Sequence, residues 1–166
     1  MSKILAVTGI RSEYDIIYPV LKELRAAGHE LLVAVTGAHL SDQHGNTQKR
    51  ILEDGFTIAD RIDTLLSTDR LVQRSKGVAM LIHGLSQTVE RENPDFLLVV
   101  GDREESIAVA IVGNYTSILT VHIAGGDPVY GNADDPIRFS VSKLAHLHCC
   151  FADEYAKNLK KIGEQE

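Results

Sequence analysis

The sequence has no excess of basic residues, no long apolar run and almost no cysteine, and each shortage removes a class of function. Lysine and arginine number 17 against 23 aspartates and glutamates, a formal net charge of -6. There is no cationic surplus to neutralise nucleic-acid phosphates, so a nucleic-acid partner is not expected. A small phosphorylated ligand remains compatible, because a few arginines in a cleft act locally. No apolar stretch approaches the ~20 residues that span a bilayer. The N-terminus enters an ordinary strand pattern rather than a signal peptide. No membrane association is expected, and the cytoplasm is the expected compartment. The two cysteines, Cys149 and Cys150, are adjacent. Neighbouring cysteines are poorly placed for a relaxed disulfide, and no CxxC spacing suggests zinc. They read as two small apolar residues of a buried strand.

Two nucleotide-binding signatures are also missing. The first strand is followed by Gly9-Ile10-Arg11-Ser12-Glu13-Tyr14 rather than GxGxxG, which disfavours a dinucleotide-dependent oxidoreductase. The GxxxxGK[ST] loop of NTPases is absent as well.

What is present is an alternation of short apolar runs and helical patterns. Residues 3–8, 30–36, 96–100, 118–123 and 149–152 are apolar without polar alternation, as strands covered on both faces are. Residues 57–63 are weaker and read as an edge strand. Between them, residues 14–27 place Ile17, Val20, Leu21 and Leu24 on one face, and Gly28 stops the helix. Residues 48–53 form a short helix. Residues 70–92 form a long one, ended by Asn93-Pro94, and its apolar stripe suits the face that packs on a sheet or a subunit surface. Helices are also expected over 105–114, 136–147 and 154–162. Strand–helix alternation in one domain of 166 residues predicts an α/β, Rossmann-like, doubly wound, mainly parallel sheet.

Ligands of such sheets bind beyond the carboxyl ends of the strands. Those ends run into Gly9-Ile10-Arg11, Gly37-Ala38-His39, Gly101-Asp102-Arg103 and Gly125-Gly126-Asp127. Glycine suits any tight strand-to-helix turn. Arginine two residues later, at Arg11 and Arg103, is less expected. Both would stand near helix N-termini, where free N–H groups favour anions, and a pyrophosphate is the natural ligand. Asp102 has two readings: an N-cap, whose backbone hydrogen bonds weaken a carboxylate as a base, or a proton-transfer group, if nearby negative charge restores its basicity. Asp127, Asp134 and Asp135 would supply that charge if their loop folds back, although Asp134 and Asp135 also precede Pro136 where a helix cap is expected.

The histidines say less. His29 reads as a surface residue, and His83 and His122 as packing residues. His146 and His148 are spaced wrongly for one-face metal binding. Only His39 and His44, flanking a Gly-containing loop, are candidate ligand contacts. No metal site is expected.

Taken in order, six motifs make a larger pattern: TGIRSEY (8–14), GAHLSDQHGNT (37–47), DGF (54–56), GDREES (101–106), HIAGGD (122–127) and DDPIRFSVSKLAHLH (134–148). Together they resemble the hydrolysing UDP-N-acetylglucosamine 2-epimerases of sialic-acid precursor synthesis, across nearly the whole chain. The G-D-R turn and the D-D-x-I-R helix start are closer to the hydrolysing than to the non-hydrolysing branch. The resemblance implies a two-domain GT-B-like architecture with the active site between the domains. The chain would then be the N-terminal domain, residues 1–166, with the C-terminal nucleotide-binding domain absent. It also implies a UDP-sugar substrate, homo-oligomerisation, no redox cofactor, and a route through C2 deprotonation, loss of UDP and addition of water.

Residue by residue, the resemblance makes Asp102 an acid/base carboxylate and Arg103 a diphosphate contact. Arg11 matches a nucleotide-contacting arginine, and Asp134 the second acidic position, four residues before Arg138. One position departs: many relatives carry a catalytic glutamate in the H-I-x-G-G segment where this chain has Ala124. Alanine cannot move a proton, and Asp127, three residues on, is the candidate replacement. Other readings stay open at this level: a GDP- or UDP-linked diacetamido sugar as substrate, a non-catalytic sugar-nucleotide-binding fragment, or an unrelated Rossmann-like phosphate binder.

Overall fold

A computed structural model describes residues 1–68, 70–130 and 133–165. Six strands form one parallel sheet: β1 (Lys3–Thr8), β2 (Glu30–Thr36), β3 (Thr57–Ile62), β4 (Phe96–Val100), β5 (Leu119–Ile123) and β6 (Leu147–Cys149). Their order is β3-β2-β1-β4-β5-β6. The chain starts in the middle, winds outward to β3, then crosses back to β4. This puts the reversal between β1 and β4, the switch point where α/β sheets open a crevice.

The helices are α1 (Arg11–Ala26), α2 (Gln48–Glu53), α3 (Val72–Glu92), α4 (Glu104–Thr116), α5 (Asp134–Leu144) and α6 (Asp153–Lys161). Each side of the sheet has its own core, because side chains alternate along a strand. Ile4 and Ala6 of β1 pack with Tyr14, Ile17 and Leu21 of α1 and Ile51 of α2. Leu5 and Val7 face the other way, onto Leu81, Leu85 and Val89 of α3, Ala108 and Val112 of α4 and Val141 of α5. The apolar stripe of α3 is thus a sheet-packing face. No helix among the described residues is long and apolar enough to cross a membrane.

The C-terminal edge departs from expectation. The last strand runs over Leu147–Cys149, two residues earlier than the apolar run, and the helix before it ends at Leu144. Register explains this. β6 pairs only with β5, through Val121↔Leu147, His122↔His148 and Ile123↔Cys149, and His146 is already tied to Thr120 by both its N–H and its ring Nδ1. Cys149 is exposed and Cys150 half-buried, so the reading of the two as buried apolar residues is corrected. The motif D-D-P also sits differently: Asp134 opens α5 after Ala133, and neither aspartate caps it.

Candidate active site

β1, β4 and β5 all end on one side, and their turns, with the first turns of α1, α4 and α5, surround a cleft. It has a volume of about 300 Å³ and is lined by Glu13, Asp102, Arg103, Ala124, Asp127 and Arg138, among others. Gly101 takes a left-handed conformation (φ 80°) that reverses the chain after β4. His122, buried in β5, fixes that turn: its Nε2 lies 2.7 Å from the Gly101 carbonyl and its Nδ1 3.2 Å from Ser142 Oγ. Burial lowers the His122 pKa to about 4, so the ring is neutral. Nε2–H donates to the carbonyl, and Nδ1 faces the Ser142 hydroxyl, which itself donates to the Arg138 carbonyl at 3.0 Å. A histidine read as packing alone therefore positions the turn that carries Asp102.

Asp102 is not an N-cap. α4 starts at Glu104, its N-cap residue is Arg103, and no side chain caps it. The Asp102 carboxylate pairs instead with the Arg138 guanidinium, only 9% of which is exposed. Arg138 also lies 3.1 Å from the Asp127 carboxylate and donates to the Asp127 carbonyl at 2.8 Å. One buried cation thus joins the turn after β4 to the loop after β5. The expectation that the acidic loop would face Asp102 directly is modified: Arg138 stands between them. Asp134 goes elsewhere. It lies 3.5 Å from Arg74 of α3, which also bonds Glu104. Asp135 accepts the Val129 N–H at 2.9 Å and holds the loop.

Of the other predicted contacts, Arg103 lines the cleft and is half exposed. Arg11 begins α1 but lies along the helix, 3.5 Å from Asp15. His39 is corrected as a ligand contact: it is fully buried, with Thr8 Oγ1 3.1 Å from Nε2 and Thr47 Oγ1 2.7 Å from Nδ1. It ties the end of β1 to the loop before α2, and burial lowers its pKa to about 4. His44, by contrast, stays exposed. Ala124 is buried with φ 66°, an uncommon conformation for a residue with a Cβ, and it faces the same cleft as Asp102 and Asp127.

Sequence reading missed Glu13 and Glu105. Acidic residues in the first turn of a helix are ordinary complements to its dipole, so nothing marked them. Both are buried, and only the glycines beside them, Gly9 and Gly37, carried a signal. Burial, with the Glu105 charge adding, pushes Glu13 up to about 8, while the Gly9 N–H and Arg103 oppose the shift. Burial raises Glu105 too.

These groups make a stability prediction with a definite sign. A carboxyl raised in the folded state stabilises below its unfolded value, near 4.5, and loses that contribution as pH rises through about 8. His39 and His122 act oppositely: their contribution is present above about 6.5 and is lost as pH falls toward 4. Between 4.5 and 6.5 the two raised carboxyls and the two lowered histidines oppose each other, and above 6.5 the carboxyls act alone. Denaturant midpoints should therefore decline above pH 6.5, and Glu13→Gln should flatten that decline. A wild-type midpoint that climbs steadily to pH 8.5 contradicts this assignment.

Comparison with known proteins fits this geometry. A family model described as UDP-N-acetylglucosamine 2-epimerase matches residues 22–166. The chain belongs to the UDP-N-acetylglucosamine 2-epimerase family. It is 34% identical over 165 residues to the UDP-N,N'-diacetylbacillosamine 2-epimerase (hydrolyzing) of Legionella pneumophila, covering 99% of this chain and 44% of that protein. It is likewise 34% identical to the polysialic acid biosynthesis protein P7 of Escherichia coli, covering 99% and 42%. The crystal structure of UDP-GlcNAc 2-epimerase from Neisseria meningitidis bound to UDP-GlcNAc superposes with a TM-score of 0.84 at 22% identity, over 98% of this chain and 43% of that one. At that identity the likeness shows the fold: this chain has the Rossmann-like N-terminal half of the GT-B-like epimerases. The chain spans less than half the length of the curated relatives it matches.

Proposed function

We propose that the chain is the N-terminal, substrate-side domain of a hydrolysing sugar-nucleotide 2-epimerase that converts UDP-N-acetylglucosamine and water to N-acetylmannosamine and UDP. The observation that carries this reading is the Asp102–Arg138–Asp127 cluster, lying with Arg103 in one cleft at the strand ends. The cleft offers two carboxylates oriented by a shared guanidinium, beside a second, half-exposed guanidinium that can turn to meet an anion.

In this reading Asp102 takes the proton from C2 of the sugar. The electron pair forms a C1–C2 double bond as the C1–oxygen bond breaks and UDP leaves. Arg103 meets the diphosphate, and Arg11 reaches the nucleotide by leaving Asp15. Water then adds its oxygen to C1, and a proton returns to C2 from the opposite face. Asp127 serves that second transfer in place of the glutamate that Ala124 lacks. Arg138 orients both carboxylates. Asp134 is the second acidic position, held on Arg74. A second α/β domain supplies most contacts to the uridine nucleotide.

A second reading has its own support. Relatives at 34% and 35% identity, from Legionella pneumophila and Campylobacter jejuni, are named as hydrolysing N,N'-diacetylbacillosamine 2-epimerases. The same chemistry would then act on a UDP- or GDP-linked diacetamido sugar. One assay tests both. The intact enzyme, incubated in heavy water with UDP-N-acetylglucosamine, should release UDP and N-acetylmannosamine deuterated at C2. Release only from a diacetamido sugar nucleotide moves the assignment to the second reading. Release from none overturns the enzymatic one.

A further inference from the structure

Glu13 and Glu105 take no part in the chemistry above, yet the switch point is shaped around them. Glu13 comes from the first turn of α1 and Glu105 from the first turn of α4. A Cβ on Gly9 would lie 1.7 Å from Glu105 Oε1 and 2.7 Å from its Cγ, and one on Gly37 would lie 3.2 Å from the same oxygen. The ends of β1 and β2 thus lack side chains where Glu105 enters. Glu13 Oε2 accepts the Gly9 N–H at 3.0 Å. The remaining oxygens, Glu13 Oε1 and Glu105 Oε2, are buried without a hydrogen-bond partner. Both face one group: Arg103 Nε lies 3.8 Å from the first and 3.7 Å from the second.

Leaving buried acceptors unsatisfied is costly, and it persists here beside a guanidinium. These contacts are ion pairs without the fork geometry that would fix Arg103 in place. Such a cation is attracted but not committed, and it can turn toward another anion.

We propose that Glu13 and Glu105 are positioning residues, a paired carboxylate seat that holds Arg103 at the β1–β4 switch until a diphosphate draws it away. This rests on the reading of Arg103 as the diphosphate contact. A consequence follows for protons. The charged groups facing the seat are Arg103, Glu104 of α4 and, through Glu104, Arg74 of α3. When Arg103 leaves, the two carboxylates lose the cation they share, and the seat takes up as much as one proton from solvent. Diphosphate affinity must then fall as pH rises.

The test uses UDP as the probe, with affinity measured by calorimetry from about pH 7.5 to 9, above the range in which a terminal phosphate takes its second charge, roughly 6. The wild type should lose affinity with rising pH, by about tenfold per unit at most, and Glu13→Gln and Glu105→Gln should flatten that slope. In the ligand-free protein, the Nε–H nuclear magnetic resonance signal of Arg103, identified by its loss in Arg103→Lys, should shift with pH in the wild type and shift less in Glu13→Gln, where Glu105 alone still faces it. Wild-type slopes retained in both variants, or an Arg103 signal indifferent to them, overturn the seat. Should Glu105→Gln unfold the protein, Glu13→Gln carries the test alone. Failure of UDP to bind, or unaltered binding by Arg103→Lys, overturns the diphosphate reading instead, and the ligand-free signal then decides whether the seat exists.

Discussion

Asp102→Asn in the intact enzyme should lower UDP release from the sugar nucleotide by about 10²–10⁴-fold, the usual contribution of a general acid–base group. UDP affinity and the denaturant midpoint should change little by comparison. The amide is nearly isosteric, and Arg138 keeps Asp127 as an anionic partner 3.1 Å away. What is lost is a group able to take a proton from carbon. A kcat that falls with an unaltered KM is the expected signature, read by coupled UDP detection and by loss of deuterium at C2. Near-normal turnover would make the Asp102–Arg138 pair a structural brace between the turns after β4 and β5.

Arg138→Met should have the largest effect on stability. It removes the cation between two carboxylates in a site where 9% of the guanidinium and 16% of the Asp102 side chain are exposed. Breaking a buried pair from one side typically costs about 3–5 kcal/mol, because the partner charge stays buried and unpaired. The Asp127 carbonyl loses its donor too. Combining Arg138→Met with Asp102→Asn should restore part of the loss, since the orphaned charge goes with it, and the difference gives the coupling energy. Arg11→Ala is the control. Its side chain is 65% exposed on a single ion pair, and exposed pairs contribute ~0–1 kcal/mol. Equal losses for the two arginines, measured by urea denaturation, would contradict the buried-cluster account.

The fold was legible because its signals are local. β1, β2 and β4 match their apolar runs at both ends, since a doubly covered strand shows itself as unbroken hydrophobicity. β6 escaped because its bounds depend on β5, a partner distant in sequence. The site was half legible. The strand-end glycines and the resemblance pointed to Asp102, Arg103, Asp127 and Arg138, and the structure brings those four into one cleft. His39 was misplaced because a loop histidine gives no sign that two threonines, one 31 residues away, will enclose its ring. Glu13 and Glu105 were missed because burial is a property of the packed fold, and in sequence they look like any acidic helix start.

The space beside Gly9 and Gly37 also constrains how this sequence can change. Three positions, directly after β1, directly after β2 and in the first turn of α4, share one small volume that Glu105 fills. A side chain gained at Gly9 would need a shorter residue at position 105, and a shortened residue 105 would leave a void against two bare backbones. Single substitutions at any of the three should be disfavoured where compensated pairs are tolerated. Among homologues these positions should therefore vary together or not at all, a pattern of inheritance that records where Arg103 is held.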